Sequence, residues 1–411
     1  MSRLVRLVLL ASLLMPLAAQ PADSVPGQVD MDDLRAFADV WGYIKTHYVD
    51  EVDDRELLEA AVRGMVSELD ERSSWLSPDE LASLEEQATG RYGGLGVRIT
   101  VQPDHLQVVA AMDGSPAERA GLVEGDRIVA IDDRRLDENN SSQATSWLRG
   151  TPGTAVALTV ERDEQDGPLE IEVTREAIQS SSVAGAILPG DFAYVRVTGF
   201  QQSTASELDD MLEALAERLG GHPEAMILDL RQNPGGMLHA SVAVSDRFLS
   251  EKLVVYTEGR NPTDDLELFS NPGEAFPGMA LLVLVDSASA SAAEIVAGAL
   301  QDHGRALIAG VPTYGKGSVQ TVWSLRNQGG LQLTTAYYHT ASGRNIEADG
   351  VEPDMLIEPR SQPLRLNGDG ALATIDAEAL ATSDPALDEA LRLINNARRL
   401  FARQDERTGS E

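Results

Sequence analysis

A serine and a lysine, set in separate segments, make the strongest chemical case in this chain. Asp286-Ser-Ala-Ser-Ala-Ser-Ala-Ala-Glu294 places Ser291 between an apolar strand-like run, Ala280-Leu-Leu-Val-Leu-Val285, and a helical run from Ala292 to Leu300. Tyr314-Gly-Lys-Gly-Ser-Val-Gln320 offers Lys316 between glycines, close to another strand-like stretch. A serine at a strand-to-helix turn, with a lysine that can be buried nearby, is the minimum apparatus of a Ser-Lys hydrolase. A helix starting at Ser291 would aim the N–H of Ala292 at an oxyanion, because helix N-termini leave donors unpaired and carry partial positive charge. The second donor is sought in Asn233-Pro-Gly-Gly236, where Gly235 and Gly236 let backbone approach a substrate closely. Lys316 accepts a proton only when neutral, and burial among Tyr314, Val319 and the strand residues would lower its pKa. Gln320 lies four residues on. In an extended segment it shares a face with Lys316, and its amide oxygen would orient the amine.

Each motif has a plainer reading. Ser291-Ala-Ala-Glu294 fits a Ser-x-x-Glu capping box, and Ser289 is a second candidate cap. A lone lysine between glycines is commonly a solvated loop residue. Gly310-Val-Pro-Thr-Tyr-Gly-Lys316 nearly spells a phosphate-binding loop. It fails at Gly317, where the magnesium-binding hydroxyl belongs, and continues as β-type Val319-Gln-Thr-Val-Trp323 instead of a helix. A Ser-His-Asp triad would take His239 or His303 as base. His239 has no evident carboxylate to orient it, and His303 sits in a polar helix end beside Asp302, whose role is read as structural.

The elements that must position these groups follow from periodicity. From Met31 to about Gln87 the pattern is helical, with Leu34, Phe37, Val40, Trp41 and Ile44 at three- and four-residue intervals and Leu57, Leu58, Ala61, Val62, Met65 and Leu69 doing the same. Ser77-Pro-Asp-Glu80 reads as a capped helix start. A glycine turn at Tyr92-Gly-Gly-Leu-Gly96 opens a β-rich block with two short helices. From Asp191 strands and helices alternate, and the tail carries an amphipathic helix over about Pro385 to Ala402. Length and composition fit two to three folded domains, at 411 residues, 43% hydrophobic and 24% charged.

Bulk charge and composition narrow the function. With 33 basic against 66 acidic residues, a formal charge of −33, the chain lacks the basic footprint of a nucleic-acid binder and does not suit anionic membrane surfaces. It contains no cysteine, which removes disulfide, thiolate and cysteine–zinc chemistry. Its six histidines show no His-x-x-x-His spacing, so neither a metal nor any other cofactor is expected. Arg3 and Arg6, the apolar run Leu7 to Leu17 and then Ala18-Ala19 follow the order of a secretory signal, with cleavage expected near Ala19. That run falls short of the ~20 apolar residues of a membrane span. An uncleaved anchor is the alternative.

The block 88–176 resembles a PDZ domain through Gly93-Gly-Leu-Gly96, Ser115-Pro-Ala117, Ala120-Gly-Leu122 and Gly125-Asp126. Gly94, Leu95, Gly96 and Val97 would turn backbone N–H groups toward a chain-terminal carboxylate, and the adjacent strand edge would pair with the bound peptide. Over roughly 32–360 the chain resembles the C-terminal processing peptidases, or tail-specific proteases. The resemblance rests on Gly64-Met-Val-Ser-Glu-Leu-Asp70, the PDZ block, Asp229-Leu-Arg-Gln-Asn-Pro-Gly-Gly236, the serine segment, Gly315-Lys-Gly-Ser-Val-Gln320, Ser342-Gly-Arg344 and Gly350-Val-Glu-Pro-Asp354. It implies Ser291, not Ser287 or Ser289, as nucleophile, Lys316 as base and Gln320 as its orienter. Two segments depart from the family's pattern: Ala293 replaces a second serine, and Glu71-Arg72 replaces Pro-His after Asp70.

The resulting expectation is a multidomain α/β protein. It has a signal peptide (1–19), an N-terminal helical region (20–87), an inserted PDZ domain (88–176), a Ser-Lys protease core with a mixed sheet (177–360) and a C-terminal helical tail (361–411). Its function would be that of an endopeptidase exported to the periplasm or cell envelope. Its partners would be protein substrates with free, apolar C-termini; an activating adaptor and a homo-oligomer stay open. A catalytically silent PDZ scaffold that binds tails is the alternative from a different class.

Overall fold

The computed structural model describes residues 30–408, apart from 164, 263–264, 327–328, 348, 360, 365 and 367–371. The expected signal segment therefore lies outside the described residues. The chain divides into two compact units, one up to Met65 and one from Val66 onward. In the first, α1 (Met31–His47) is capped by Asp30, whose side chain accepts the N–H of Asp32, and α2 (Asp54–Ser67) follows. Lys45 braces the turn between them through Asp54 (2.9 Å) and the carbonyl of Val52 (2.6 Å). No residue of α1 is buried, and Leu34, Phe37, Val40 and Tyr43 are exposed.

The second unit begins with β1 (Ser74–Leu76) and α3 (Pro78–Thr89), whose predicted capping box at Ser77 and Glu80 is present. Strand β1 interrupts the region expected to be wholly helical. Asp70 captures the N–H groups of Arg72 and Ser73, both at 2.7 Å, and ends the helical run. Trp75, 3% exposed, is then buried as the chain pairs with a later strand.

The PDZ-like block comprises β2 (Arg91–Gly94), β3 (Val97–Val101), β4 (Leu106–Ala111), α4 (Pro116–Arg119), β5 (Arg127–Ile131), β6 (Arg134–Arg135), α5 (Ser141–Leu148), β7 (Ala155–Glu161), β8 (Leu169–Thr174) and β9 (Glu176–Gln179). Its sheet runs β3-β4-β5-β7-β8, with β6 on β5, around a core that includes Leu95, Val108, Ile128, Leu158 and Val173. The entering and leaving strands, β2 and β9, pair with each other as a two-stranded stem. The outer edge of β3 is left unpaired within the sheet.

The core domain contains β10 (Val183–Leu188), β11 (Phe192–Val197), α6 (Thr204–Leu219), β12 (Ala225–Asp229), α7 (Leu238–Asp246), β13 (Leu253–Gly259), β14 (Glu267–Phe269), β15 (Ala280–Val285), α8 (Ala292–Asp302), β16 (Leu307–Gly310), β17 (Ser318–Ser324), β18 (Gly330–Thr340), β19 (Met355–Leu356), β20 (Ala373–Thr374), α9 (Ala377–Ser383) and α10 (Pro385–Thr408). A mixed seven-stranded sheet is ordered β19-β16-β15-β12-β11-β10-β20, antiparallel only between β10 and β11. Both faces are covered, so its central strands read as continuous apolar runs. Met226, Leu228, Leu281 and Val283 join a core with α6, α7 and α8, whereas Ile227, Leu282 and Leu284 meet Leu387, Leu391 and Ile394 of α10. A second sheet, ordered β1-β18-β13-β14 with β17 also on β18, carries the lysine strand. Strands β12, β15 and β16 are parallel, so the loops after Asp229, Val285 and Gly310 leave the same sheet edge, where ligands of α/β sheets generally bind.

Candidate active site

Three loops from that edge are laced together around Ser291. The 286–291 turn binds the 230–236 loop through Ser289 Oγ to the carbonyl of Leu230 (2.8 Å) and Ala290 N–H to the carbonyl of Asn233 (2.9 Å). A third bond runs from Gln232 N–H to Asp286 Oδ1, also at 2.9 Å. Ser289 is fully buried and consumed by these contacts, whereas Ser287 is exposed. Ser291 heads α8 at φ 56°, ψ −115°. A non-glycine residue held there costs of order 1–3 kcal/mol and persists only where its surroundings impose it. Both arms of the capping box are laid out, but only the glutamate arm closes to a hydrogen bond, Ser291 N–H to Glu294 Oε2 at 2.7 Å.

Glu294 does much more than cap a helix. It is fully buried, and its Oε2 also accepts the N–H of Lys316 (2.9 Å) while Oε1 accepts Thr313 Oγ1 (2.5 Å) and Gly315 N–H (2.7 Å). A single carboxylate oxygen thus holds the backbone of the candidate nucleophile and of the candidate base. The Ser-x-x-Glu spacing marks Glu294 as a cap, and no spacing along the chain records its reach to Lys316.

Burial, the larger cause, and the nearby Arg72 guanidinium together hold the Lys316 amine below the usual lysine range, against the opposing pull of Glu347. Its Nζ donates to no group among the described residues, and neither it nor Gln320 is bonded to Ser291 Oγ. Gln320 turns its amide nitrogen onto Ser318 Oγ at 2.9 Å instead. Lys316 lies before β17 begins at Ser318, so the strand alternation that would set Gln320 on the lysine's face does not run through it.

The candidate oxyanion donors differ in availability. Gly235 N–H is taken by Asn233 Oδ1 at 2.9 Å, whereas the N–H groups of Ala292 and Gly236 have no acceptor among the described residues. Gly235, at φ +102°, contributes closeness instead: a Cβ there would come within 2.8 Å of Ser291 Cβ and 3.0 Å of Ala292 N. Beneath this loop, Arg231 forms a buried fork with Asp229 (Nε to Oδ1, 2.9 Å) and Asp384 (two bonds, 2.7 and 3.0 Å). Burial pushes the Asp229 carboxyl up, but Arg231 outweighs it and holds the group below its ordinary value. Asp384 also accepts the N–H of Leu387 in α10 (3.1 Å), tying the C-terminal helices to the loop.

The rival bases lie elsewhere. His303 caps the far end of α8 and contacts the carbonyl of Leu253 at 2.7 Å. The 11-residue helix between them puts it about 18 Å from Ser291. His239 is exposed on α7. Asp302 bonds Ser342 N–H and Arg344, as its structural reading required. In the PDZ-like block the N–H groups of Leu95 and Gly96 have no acceptor among the described residues. The carbonyls of Leu95 and Gly96 are bonded to Ala117 (2.9 Å) and Met112 (2.8 Å), while Gly94 and Val97 end the flanking strands.

Residues 191–357 match peptidase family S41, residues 107–162 match the PDZ domain, and residues 17–76 match the activating protease CtpB N-terminal domain. A carboxy-terminal-processing protease of Bartonella bacilliformis is 37% identical over 332 residues, covering 80% of this chain and 76% of that protein. A carboxyl-terminal-processing protease of Synechocystis is 35% identical over 79% of this chain and 76% of its own length. Among solved structures, a photosystem II D1 C-terminal processing protease is 28% identical with a TM-score of 0.48, covering 81% of this chain and 89% of that one.

Proposed function

The chain belongs to the carboxyl-terminal-processing proteases, serine-type peptidases of family S41, and from that premise we propose that it works by a Ser291–Lys316 mechanism on exported proteins with free, apolar C-termini. The observation that carries this reading is the shared Glu294 oxygen, which fixes Ser291 at 2.7 Å and Lys316 at 2.9 Å through their backbones. Neutral Lys316 would take the Ser291 proton as Oγ attacks the scissile carbonyl carbon. The N–H groups of Ala292 and Gly236 would receive the oxyanion, with Gly235 keeping that strand close to Ser291. Collapse breaks the C–N bond, and the protonated lysine returns its proton to the leaving amine. Water, deprotonated in turn by Lys316, attacks the acyl-enzyme and releases Ser291. The separation of Ser291 Oγ, Lys316 Nζ and Gln320 suits a resting site, since catalytic hydrogen bonds commonly tighten only in the substrate complex. In that complex Gln320 would leave Ser318 and turn its oxygen to the amine.

Tail recognition is assigned to Gly94, Leu95, Gly96 and Val97. The unpaired N–H groups of Leu95 and Gly96 fit a carboxylate, and the open edge of β3 fits an added peptide strand. Domain limits of 88–176 for the PDZ domain and 177–360 for the protease core belong to the same reading, as does export to the periplasm or envelope by the leader at 1–19.

The experiment compares Ser291→Ala and Lys316→Ala with the parent on a protein ending in an apolar tail. Both variants should bind the tail and turn over nothing. Parental cleavage by either folded variant refutes the Ser-Lys assignment. Tail binding by the parent without turnover, with and without added envelope proteins, would return the scaffold reading.

A further inference from the structure

Arg72 stands where this chain departs from its family's pattern, and the structure ties it through Glu347 to the peptide that follows Lys316. The turn that carries it is anchored on the lysine's sheet: the Arg72 carbonyl accepts Gln332 Nε2 at 3.2 Å, and Ser73 Oγ accepts Thr334 N–H at 3.1 Å. The guanidinium reaches Glu347 Oε1 at 3.4 Å, while Glu347 Oε2 accepts the N–H of Gly317 at 2.7 Å. One carboxylate therefore bridges the arginine and the peptide next to Lys316. The approach is tight, because a Cβ at Gly317 would lie 2.3 Å from the backbone nitrogen of Glu347.

Charges reach Lys316 from three other elements. Arg72 comes from the turn before β1, Glu347 from the turn after β18, and Glu294 from α8 at the backbone N–H; the exposed Tyr314 phenol is on the lysine's own loop. Glu294 is filled by four donors. Glu347 is the carboxylate that acts as counter-ion to an ammonium here, with one oxygen on Arg72 and the other on Gly317 N–H. A guanidinium stays charged across the accessible pH range, so of two neighbouring cations the lysine is the one that yields its proton.

Resting on the Ser-Lys reading, we infer that Arg72 is a positioning residue for the base. It engages the carboxylate that would otherwise neutralise Lys316, and it sets a permanent positive charge beside the amine, favouring the neutral lysine that serine activation requires. Both partners are partly exposed, each side chain 29% accessible, so solvent screens the effect and its size is modest.

The test is the pH profile of kcat/KM on an apolar-tailed peptide, with the full chain as parent, Arg72→Gln, Arg72→Lys and Glu347→Gln. Arg72→Gln should move the acid limb upward by about half a pH unit, roughly a threefold loss on that limb that fades at high pH. Arg72→Lys should keep the parental limb, and Glu347→Gln should move it downward. A loss by the same factor at every pH, or coincident limbs, overturns the inference. Should Arg72→Gln fail to fold, Arg72→Met takes its place, with the same upward shift required and an unmoved limb overturning the inference. Lys316→Ala, measured alongside, separates the two readings: parental turnover sinks the Ser-Lys mechanism, whereas an inactive Lys316→Ala with an unmoved Arg72→Gln limb sinks only the role of Arg72.

Discussion

Replacing Glu294 with glutamine and with alanine asks how much of the site one carboxylate assembles. Each oxygen takes two donors: Thr313 Oγ1 and Gly315 N–H on one, Ser291 N–H and Lys316 N–H on the other. A glutamine keeps an acceptor on one side and turns an N–H₂ toward the other. The Thr313 hydroxyl can rotate to accept from that amide, but a backbone N–H cannot. The cheaper flip therefore faces Thr313 and strands Gly315 N–H alone, at about 1–3 kcal/mol. It leaves Ser291 and Lys316 joined. Alanine strands all four donors in a fully buried place. Each stranded donor costs about 1–3 kcal/mol, and clustered terms do not add, so the total falls short of four such losses. For catalysis the relevant quantity is the drift between the two loops, and about 1 Å of misplacement costs on the order of 10²-fold. Urea denaturation and initial rates of tail cleavage read the two effects separately. Glu294→Ala should lose both stability and about two orders of magnitude in kcat/KM, with Glu294→Gln well above it in each. Parental rates in a folded Glu294→Ala would refute the idea that this carboxylate registers the serine against the lysine.

Two further perturbations follow from groups placed around the site. Lys316 has a folded pKa below its ordinary value of 10.5, so it binds protons more weakly folded than unfolded and weakens the fold below its folded pKa. That cost disappears as pH rises through the unfolded value. Lys316→Met should therefore raise the urea midpoint at neutral pH while abolishing turnover, with the gain shrinking toward pH ~10.4 and above; a midpoint gain independent of pH would count against the burial argument. Asp384→Ala should cost about 3–5 kcal/mol, because it leaves Arg231 half-paired and removes the acceptor for Leu387 N–H in α10. An unchanged midpoint would mean that the C-terminal helices do not support the 230–236 loop.

What local patterns can encode was legible in the chain. The apolar runs at 225–229 and 280–285 are strands buried on both faces, the Ser77 capping box is where Ser-x-x-Glu placed it, and the alternating residues of the PDZ-like block form its sheet. The turns that carry Ser291 and Lys316 were legible because small residues and glycines mark a break in a strand or helix. Errors arose where a local rule met a tertiary contact. Trp75 was assigned to a helical region because periodicity alone cannot tell that β18 waits to pair with it. Gln320 shares a face with Ser318, and Lys316 lies before that strand begins, so alternation alone does not relate the amide to the amine. Glycine spacing marks Gly235 as an oxyanion donor, yet Asn233 two residues earlier accepts its N–H.

The opening pair of residues shows the division most clearly. By itself the sequence determined that a serine would stand at a strand-to-helix turn and a lysine in a glycine loop, since backbone preference and burial pattern act over a few neighbours. Only the tertiary structure decided that one buried carboxylate, at Glu294, would bond to both backbones, and that Arg72 and Glu347, 275 residues apart in the chain, would meet at the peptide that follows Lys316. Hydrogen bonding and charge act through space, and spacing along a chain records neither until the parallel strands have brought their loops to one edge.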